Sequence, residues 1–596
     1  MNKILRKCVD QYCPKLSKVA IDGTIKMLFR NALDYLDDVF KSSMRELDSN
    51  INLVYVGYEE MSPEQVYAFN FVDNQNNSYD IAHSDVYGVY FIFQFNGEMF
   101  KQPMLMPYCQ DGNVMTLTGT KYVVSPVLSD TVISPKQSEI FVRLLKKKVR
   151  FIKNNRNISI NDQIIRQPMI SVNMFASNTT TSAPLGQIEC PVTLYLLAKY
   201  GLYGTFSIYI GREVKKALNR DLTFGEGKDI LFTNRELTKE DYEKYNVYES
   251  ILRGKNELPP GVKKLFLDVD VEPHLTKVLV NKEIETTSFI KYLISGLIYI
   301  LDAFPYTSKH IVNIINNGNS LQEEINAWRF ILGQVMHKGN FTTLRLGMEV
   351  ENTMRHLDTC LDTQIENKLR DVGVFVSNFY DLLAYILNNY TQLTITEGEY
   401  NANLENKYID VMYYIFFDHI VSINKTIKSL NKKLLKSKLD KNVTVIGAHE
   451  VKESFKDEFK YYRIFNLLKG GLKSTRSLCL KAADYTGDIK YAKCTVILED
   501  QSRGEGVKTP LIEKFPDVCK TIKGEDMWLG SIFNLIKKVP SGRLRMNAYL
   551  QYDPVSGQIL IPDDIKANID EVNNKLKLTE EEKYEEVSLD IIEDLD

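Results

Sequence analysis

Residues 461–506 read YYRIFNLLKGGLKSTRSLCLKAADYTGDIKYAKCTVILEDQSRGEG. The pair Gly470-Gly471 breaks an apolar run and marks a tight turn. Cations recur on both sides of it: Arg463, Lys469, Lys473, Arg476, Lys481, Lys490 and Lys493. Cys494 to Leu498 reads as a short buried strand that empties into a polar, glycine-containing loop, Glu499 to Gly506. Cations held on strands beside a glycine turn suit phosphate binding, because rigid elements fix the charges and bare backbone allows close approach. A solvated hairpin with ordinary surface lysines has the same spacing, so spacing alone leaves both readings open.

Working outward, the chain has 596 residues, enough for several domains. Hydrophobic residues make up 44%, so it can bury real cores. Its net charge is only −3, so any nucleic-acid contact must come from local patches rather than a global basic field. None of the eight cysteines forms a CxxC pair, and Cys8 and Cys13 have no nearby histidine, so a zinc site is not expected. Scattered buried thiols in a reducing cytoplasm are the expectation. The start of the chain shows no signal-peptide core. The most apolar run, Phe289 to Phe304, carries Lys291 and Asp302 and is too short to span a bilayer, so no membrane association is expected.

Along the chain, residues 1–50 have helical spacing, and 51–125 alternate like strands. Asp111-Gly112 predicts a hairpin turn between Met104-Leu105-Met106 and a strand over Val114 to Leu117. The run LLKKKVRFIKNNR, with Lys146, Lys147, Lys148, Arg150, Lys153 and Arg156, is either a solvated face or a stripe along a nucleic-acid backbone. Glu189-Cys190-Pro191-Val192-Thr193 opens a helix with proline near its first turn. Gly225-Glu226-Gly227-Lys228 lacks the spacing and hydroxyl of a P-loop. Asp268-Val269-Asp270 follows an apolar strand, but no catalytic glycine follows and Pro273 fits a loop exit, so no metal site is expected there. Helices are predicted over Phe289–Phe304, Gln322–Met336, Met348–Leu369 and Val374–Tyr390.

After Leu404-Glu405-Asn406-Lys407-Tyr408 comes a helical stripe through Ile409, Met412, Ile415, Phe416, Ile420, Ile423 and Ile427. Its tail is basic: Lys425, Lys428, Lys432, Lys433, Lys436, Lys438 and Lys441. His419, on the apolar face, reads as a core histidine. Asn547 to Ile561 predicts a hairpin turning at Asp553-Pro554 and Ser556-Gly557. Thr579 to Asp596 holds nine acidic residues and one lysine, a tail or a docking peptide for a partner chain.

Four of these motifs stand in one order. Gly119-Thr120 with Val123-Val124-Ser125, the Pro191-x-Thr193 helix start, Asn406-Lys407 before a long helix, and the 461–506 stretch together resemble the N-terminal half of the β subunit of multisubunit RNA polymerases. In 461–506 the resemblance is carried by Arg463, Ile464, Gly470, Gly471, Leu472, Arg476, Tyr491, Lys493, Cys494, Glu499, Glu505 and Gly506. The chain departs from the family pattern at Lys469, where a proline is usual, at Lys121 and Tyr122, and in the run Glu499 to Gly506. Split β and β′ chains of this kind are a feature of the giant (jumbo) bacteriophage enzymes, and the Asn-, Lys-, Ile- and Tyr-rich composition agrees with that group.

The resemblance implies an α+β, multidomain fold. It implies a protrusion from 1–125 and 401–445, a lobe over 126–400, a fork over 446–530, and an external, partner-docking region with the acidic tail over 531–596. It implies a nucleotidyltransferase subunit that is not catalytic alone. Arg463, Lys469, Gly470, Gly471, Lys473, Arg476, Lys481 and Lys493 would contact nucleotide or nucleic acid. Mg²⁺ would be held by the partner β′-like chain. The implied partners are the C-terminal half of β, split β′ chains, a promoter-recognition subunit, DNA template and RNA. The implied location is the host cytoplasm, with packaging in the virion left open. Ile446 to Tyr462 lacks the family's Gln-rich and His-basic segment, which implies insensitivity to rifampicin. The rival reading is a phage virion structural or assembly protein, which the long tyrosine-rich chain and acidic tail also suit.

Overall fold

A computed structural model describes residues 31–71, 84–109, 114–176, 190–210, 214–217, 230–233, 238–249, 277–282, 288–304, 311, 321–336, 343–395, 407–459, 480–482, 495–498, 543–545, 551–560 and 567, with gaps of one to three residues inside some of these spans. Helices and strands are mixed throughout, as in an α+β protein.

The buried side chains fall into two large clusters. The first is built from α1 (Ala32–Met44) and the antiparallel sheet of β1 (Leu53–Glu60), β2 (Val86–Phe95) and β3 (Glu98–Pro107). Strand β2 buries Val89, Phe91, Phe93 and Phe95 and turns Tyr90, Ile92 and Gln94 partly outward, the period-two pattern of a sheet with one wet face. Phe40 of α1 packs on Phe91 at 4.7 Å between ring centroids. Each such aromatic contributes about 1.5–3 kcal/mol through burial. Met115, Leu117, Val124 and Leu145 add to this core, and its other large share comes from far along the chain: Ile409 to Phe459, with Tyr552 and Ile559.

The second cluster runs from Val132 to Tyr390. Its strands β7 (Ile133–Lys136), β8 (Glu139–Arg143), β9 (Lys147–Ile160) and β10 (Gln163–Ala176) form an antiparallel sheet. A second sheet joins β11 (Val214–Ala217), β12 (Ile230–Thr233), β13 (Tyr245–Glu249) and β14 (Lys277–Asn281), in the order β11-β12-β14-β13. Helices α2 (Val192–Ile210), α3 (Ser288–Ala303), α4 (Leu321–Met336), α5 (Thr343–Asp358), α6 (Thr363–Asp371) and α7 (Phe379–Ile395) complete this part. The Pro191-x-Thr193 start is architectural: the Thr193 hydroxyl donates to the Leu293 carbonyl of α3 at 3.1 Å. A Cβ on Gly296 would overlap Thr193 Oγ1, so glycine is what lets the two helices close.

Two expectations need correction. One helix over Met348–Leu369 becomes two, because Asp362 accepts the N–H groups of Gln364 and Ile365 at 3.0 Å and starts α6 afresh. The strand over Val114 to Leu117, β4, pairs with β5 (Thr120–Val124) and not back onto Met104–Met106, which pair with β2. Asp111-Gly112 lies outside the described residues, and the observed hairpin turns at Gly119 with φ 77°, a left-handed conformation that favours glycine. Buried Asp85 ties β4 down instead: its N–H donates to Thr116 O, and its carboxylate accepts from Thr116 N–H, both at 2.6 Å.

Candidate nucleic-acid interface

The site is assembled around β5 and β6 (Val127–Asp130), which follow one another in the chain. Strand β15 (Lys407–Asp410), the start of the Asn406-Lys407 motif, pairs antiparallel with β6. Strand β16 (Leu480–Ala482) pairs antiparallel with β5, setting the Lys481 backbone opposite Val123. Strand β17 (Thr495–Leu498) pairs parallel with β6, with Ile497 opposite Val127, and takes β18 (Arg543–Arg545) on its other edge. Three motifs, spread along the chain from Gly119 to Leu498, therefore meet in two small sheets. The fourth, the Pro191 helix, belongs to the other core.

Of the eight sequence-predicted contact residues, Lys481 is described, and its position is known through its backbone register. Arg463, Lys469, Gly470, Gly471, Lys473, Arg476 and Lys493 lie outside the described residues, as do Asp268 to Asp270, Gly225 to Lys228 and the acidic tail. The strand expected over Cys494 to Leu498 is present as β17. The hairpin expected near Asp553 is present too: β19 (Gln551–Tyr552) and β20 (Ile559–Leu560) close through Gly557 N–H donating to Asp553 O at 2.8 Å. Gly557 has φ 76°, and its carbonyl accepts the Ile409 N–H at 2.7 Å, so this hairpin docks on β15.

After β15 and the short α8 (Met412–Ile415), the chain enters α9 (Phe417–Lys441), the longest helix described. Ile420, Ile423, Ile427, Leu430 and Leu434 form its buried stripe. His419 is buried, with its ring 5.4 Å from that of Phe416, as a core histidine would be. Polar contacts fix the helix to α1 and the turn after it: Asn431 donates to Glu46 O and accepts from Asp48 N–H, both at 3.0 Å.

Six lysines of α9 divide into two sets. Lys433 reaches Ser454 Oγ at 2.9 Å and Glu453 at 3.3 Å on α10 (Ala448–Glu458), and Lys438 faces Asp48 at 3.6 Å. Lys425, Lys428, Lys432 and Lys436 are exposed. Sequence reading found the basic run but missed this division; helical spacing shows which lysines share a face, whereas their partners come from other elements.

Asp48 also meets Arg355 of α5 at 3.3 Å, and neighbouring Glu46 meets His356 Nδ1 at 2.9 Å, so this turn joins the two cores. Burial alone would raise the Asp48 pKa. Hydrogen bonds from Asn50, with Arg355 and Lys438 nearby, outweigh it and hold the carboxyl below its usual range.

In the other basic run, Arg150 forms a two-pronged pair with Glu139 on the neighbouring strand. Lys153 is exposed, its ammonium 5.8 Å from the centre of the Tyr292 ring. Arg150 therefore reads as structural.

The first buried core thus joins elements far apart in the chain and presents one exposed cationic helix face. Residues 1–444 match the family model of the non-virion RNA polymerase subunit, and the chain belongs to that family. No curated protein matches it. The family match includes α9 and ends before Tyr461.

Proposed function

We propose that the chain supplies the N-terminal part of the β subunit of a phage non-virion RNA polymerase. The observation that carries this reading is the pairing of β16 and β17, from within the stretch 461–506, with β5 and β6, from the Gly119-Thr120 motif. A fork built on those strands walls the DNA channel beside the active centre. The two buried clusters suit a protrusion made of 1–125 with 401–445 and a lobe over 126–400, and in this reading a fork over 446–530 and an external region over 531–596 complete the chain, both contributing side chains to the first cluster. Membership of a non-virion polymerase family favours action in the host cell over a virion structural role.

Phosphoryl transfer depends on positioning and electrostatics more than on covalent chemistry by the protein. Mg²⁺, held by the partner β′-like chain in this reading, supplies charge neutralisation at the reacting phosphate. On this chain Arg463, Lys469, Lys473, Arg476, Lys481 and Lys493 neutralise nucleotide and nucleic-acid phosphates, and Gly470 and Gly471 let the backbone approach them. Lys481 makes a point contact, since an ammonium lacks the planar fork of a guanidinium. The other partners are the C-terminal half of β, split β′ chains and a promoter-recognition subunit.

The test is transcription by the reconstituted complex. Arg476→Ala and Lys481→Ala each lower kcat/KM for nucleotide by about tenfold, the effect of removing one cation from a phosphate. Full activity in both variants removes the site assignment. Purification with a chain that carries an Asp-rich Mg²⁺ loop supports the polymerase reading. Purification with capsid components alone sinks it.

A further inference from the structure

Lys425, Lys428, Lys432 and Lys436 of α9 are all exposed. At 100° per residue they fall within an arc of about 80°. They cover about 16 Å of helix axis. Lys433 and Lys438 lie outside that arc and are occupied by Ser454, Glu453 and Asp48. From His419 to Leu439 the helix contains no Asp or Glu. Asp440 stands one turn beyond Lys436, but no carboxylate of the helix lies one turn from Lys425, Lys428 or Lys432, and Lys428, Lys432 and Lys436 repel one another at successive i,i+4 steps. Among the described residues, none of the four has a carboxylate partner. An ordinary solvated helix face mixes its charges; this one keeps a single sign on a helix whose opposite side is locked into the core.

We infer that this row is a contact rail for the phosphate backbone of duplex DNA, a partner assignment that rests on the polymerase reading above. Lysines are flexible point charges, suited to phosphate contacts that do not depend on base sequence. Sites for single strands pair cations with aromatic platforms, and from Ile420 to Leu439 there is no Phe, Tyr, Trp or His. The rail therefore fits a duplex backbone better than unstacked bases. Because α9 is pinned by Asn431 and its buried stripe, the cations are presented without a folding cost at the moment of binding.

The experiment uses the reconstituted polymerase, wild type and with K425Q, K428Q, K432Q and K436Q combined, titrated with labelled duplex DNA over a series of KCl concentrations. The slope of log Kobs against log[KCl] becomes shallower by about 3 to 4 in the glutamine variant, since each phosphate no longer neutralised removes roughly 0.9. Arginine at the same four positions keeps the wild-type slope, which separates charge loss from misfolding. An unchanged slope in the glutamine variant overturns the inference. So does a change seen with single-stranded DNA or RNA while duplex binding keeps its slope. The Arg476→Ala and Lys481→Ala assays read the fork and are independent of this slope, so either idea can fail alone.

Discussion

Glu324 Oε1 accepts a hydrogen bond from the Leu202 N–H at 2.6 Å, and the same oxygen accepts from Trp328 Nε1 at 3.0 Å. The contact explains how α2 survives a break in its middle. Gly201 has φ 69° and ψ −178°, which interrupts the helix and frees the N–H that follows. A buried carboxylate at the start of the second half-helix satisfies that donor and complements its dipole.

Glu324→Ala leaves two buried donors without that acceptor, at about 1–3 kcal/mol each. Denaturant unfolding followed by Trp328 fluorescence reads the loss. Glu324→Gln keeps an acceptor oxygen and costs less. Equal losses in the two variants would show that packing volume, not the hydrogen bonds, matters here.

Gly557→Ala drives a Cβ into Ile409 O, at a residue whose φ of 76° already disfavours a side chain. The hairpin β19–β20 then detaches from β15, a loss of about 1–3 kcal/mol locally. Hydrogen exchange at the Ile409 amide, which donates to Gly557 O, accelerates while exchange in β2 stays slow. Unchanged protection at Ile409 would contradict the docking.

Asp48 gives the junction between the two cores a pH dependence. Its folded pKa lies below its unfolded value, so its contribution is present above the unfolded pKa, about 3.9, and is lost as pH falls through the folded value. Acid titration of stability therefore steepens below about pH 4 in the wild type. Asp48→Asn removes the titrating group and flattens that limb. An identical acid limb in the two proteins would remove Asp48 from the junction's energetics.

Cys109, Cys190 and Cys360 are buried thiols outside any disulfide. Burial pushes the Cys190 thiol up to about 12, partly offset by a hydrogen bond with Tyr195. Burial, with the nearby Asp85 carboxylate, raises Cys109 as well. Neither forms appreciable thiolate at neutral pH, so mass spectrometry after brief alkylation finds them unmodified in the native chain and modified in denaturant. Fast native labelling at Cys190 would mean that its pocket opens.

The helices were legible because apolar side chains repeat at helical spacing, and those predicted over Phe289–Phe304 and Gln322–Met336 are observed at Ser288–Ala303 and Leu321–Met336. The break at Asp362 was legible in principle as an N-cap signal inside a periodic run. Partners were not legible. Nothing local to Val114–Leu117 says that β5 rather than β3 completes its sheet, and nothing local to Lys433 or Lys438 says that Glu453 and Asp48 await them. The order of the motifs was readable, but their meeting at β5 and β6 is a property of the tertiary fold.

The first cluster is discontinuous: Ala32 to Val124, with Leu145, supplies one side and Ile409 to Phe459 most of the other, while the second cluster lies wholly between Val132 and Tyr390. On a translating ribosome the order of completion is thus the reverse of the order of synthesis. The inner cluster has all its residues before Ile409 is made, and at about 5–20 residues per second the sheet carrying Phe91 and Phe93 waits roughly 15 to 60 s for its cover. Nascent chains stalled near residue 400 leave that sheet open to protease and chaperone, and chains stalled beyond residue 500 protect it. The part of the molecule that is born first is the last to become native.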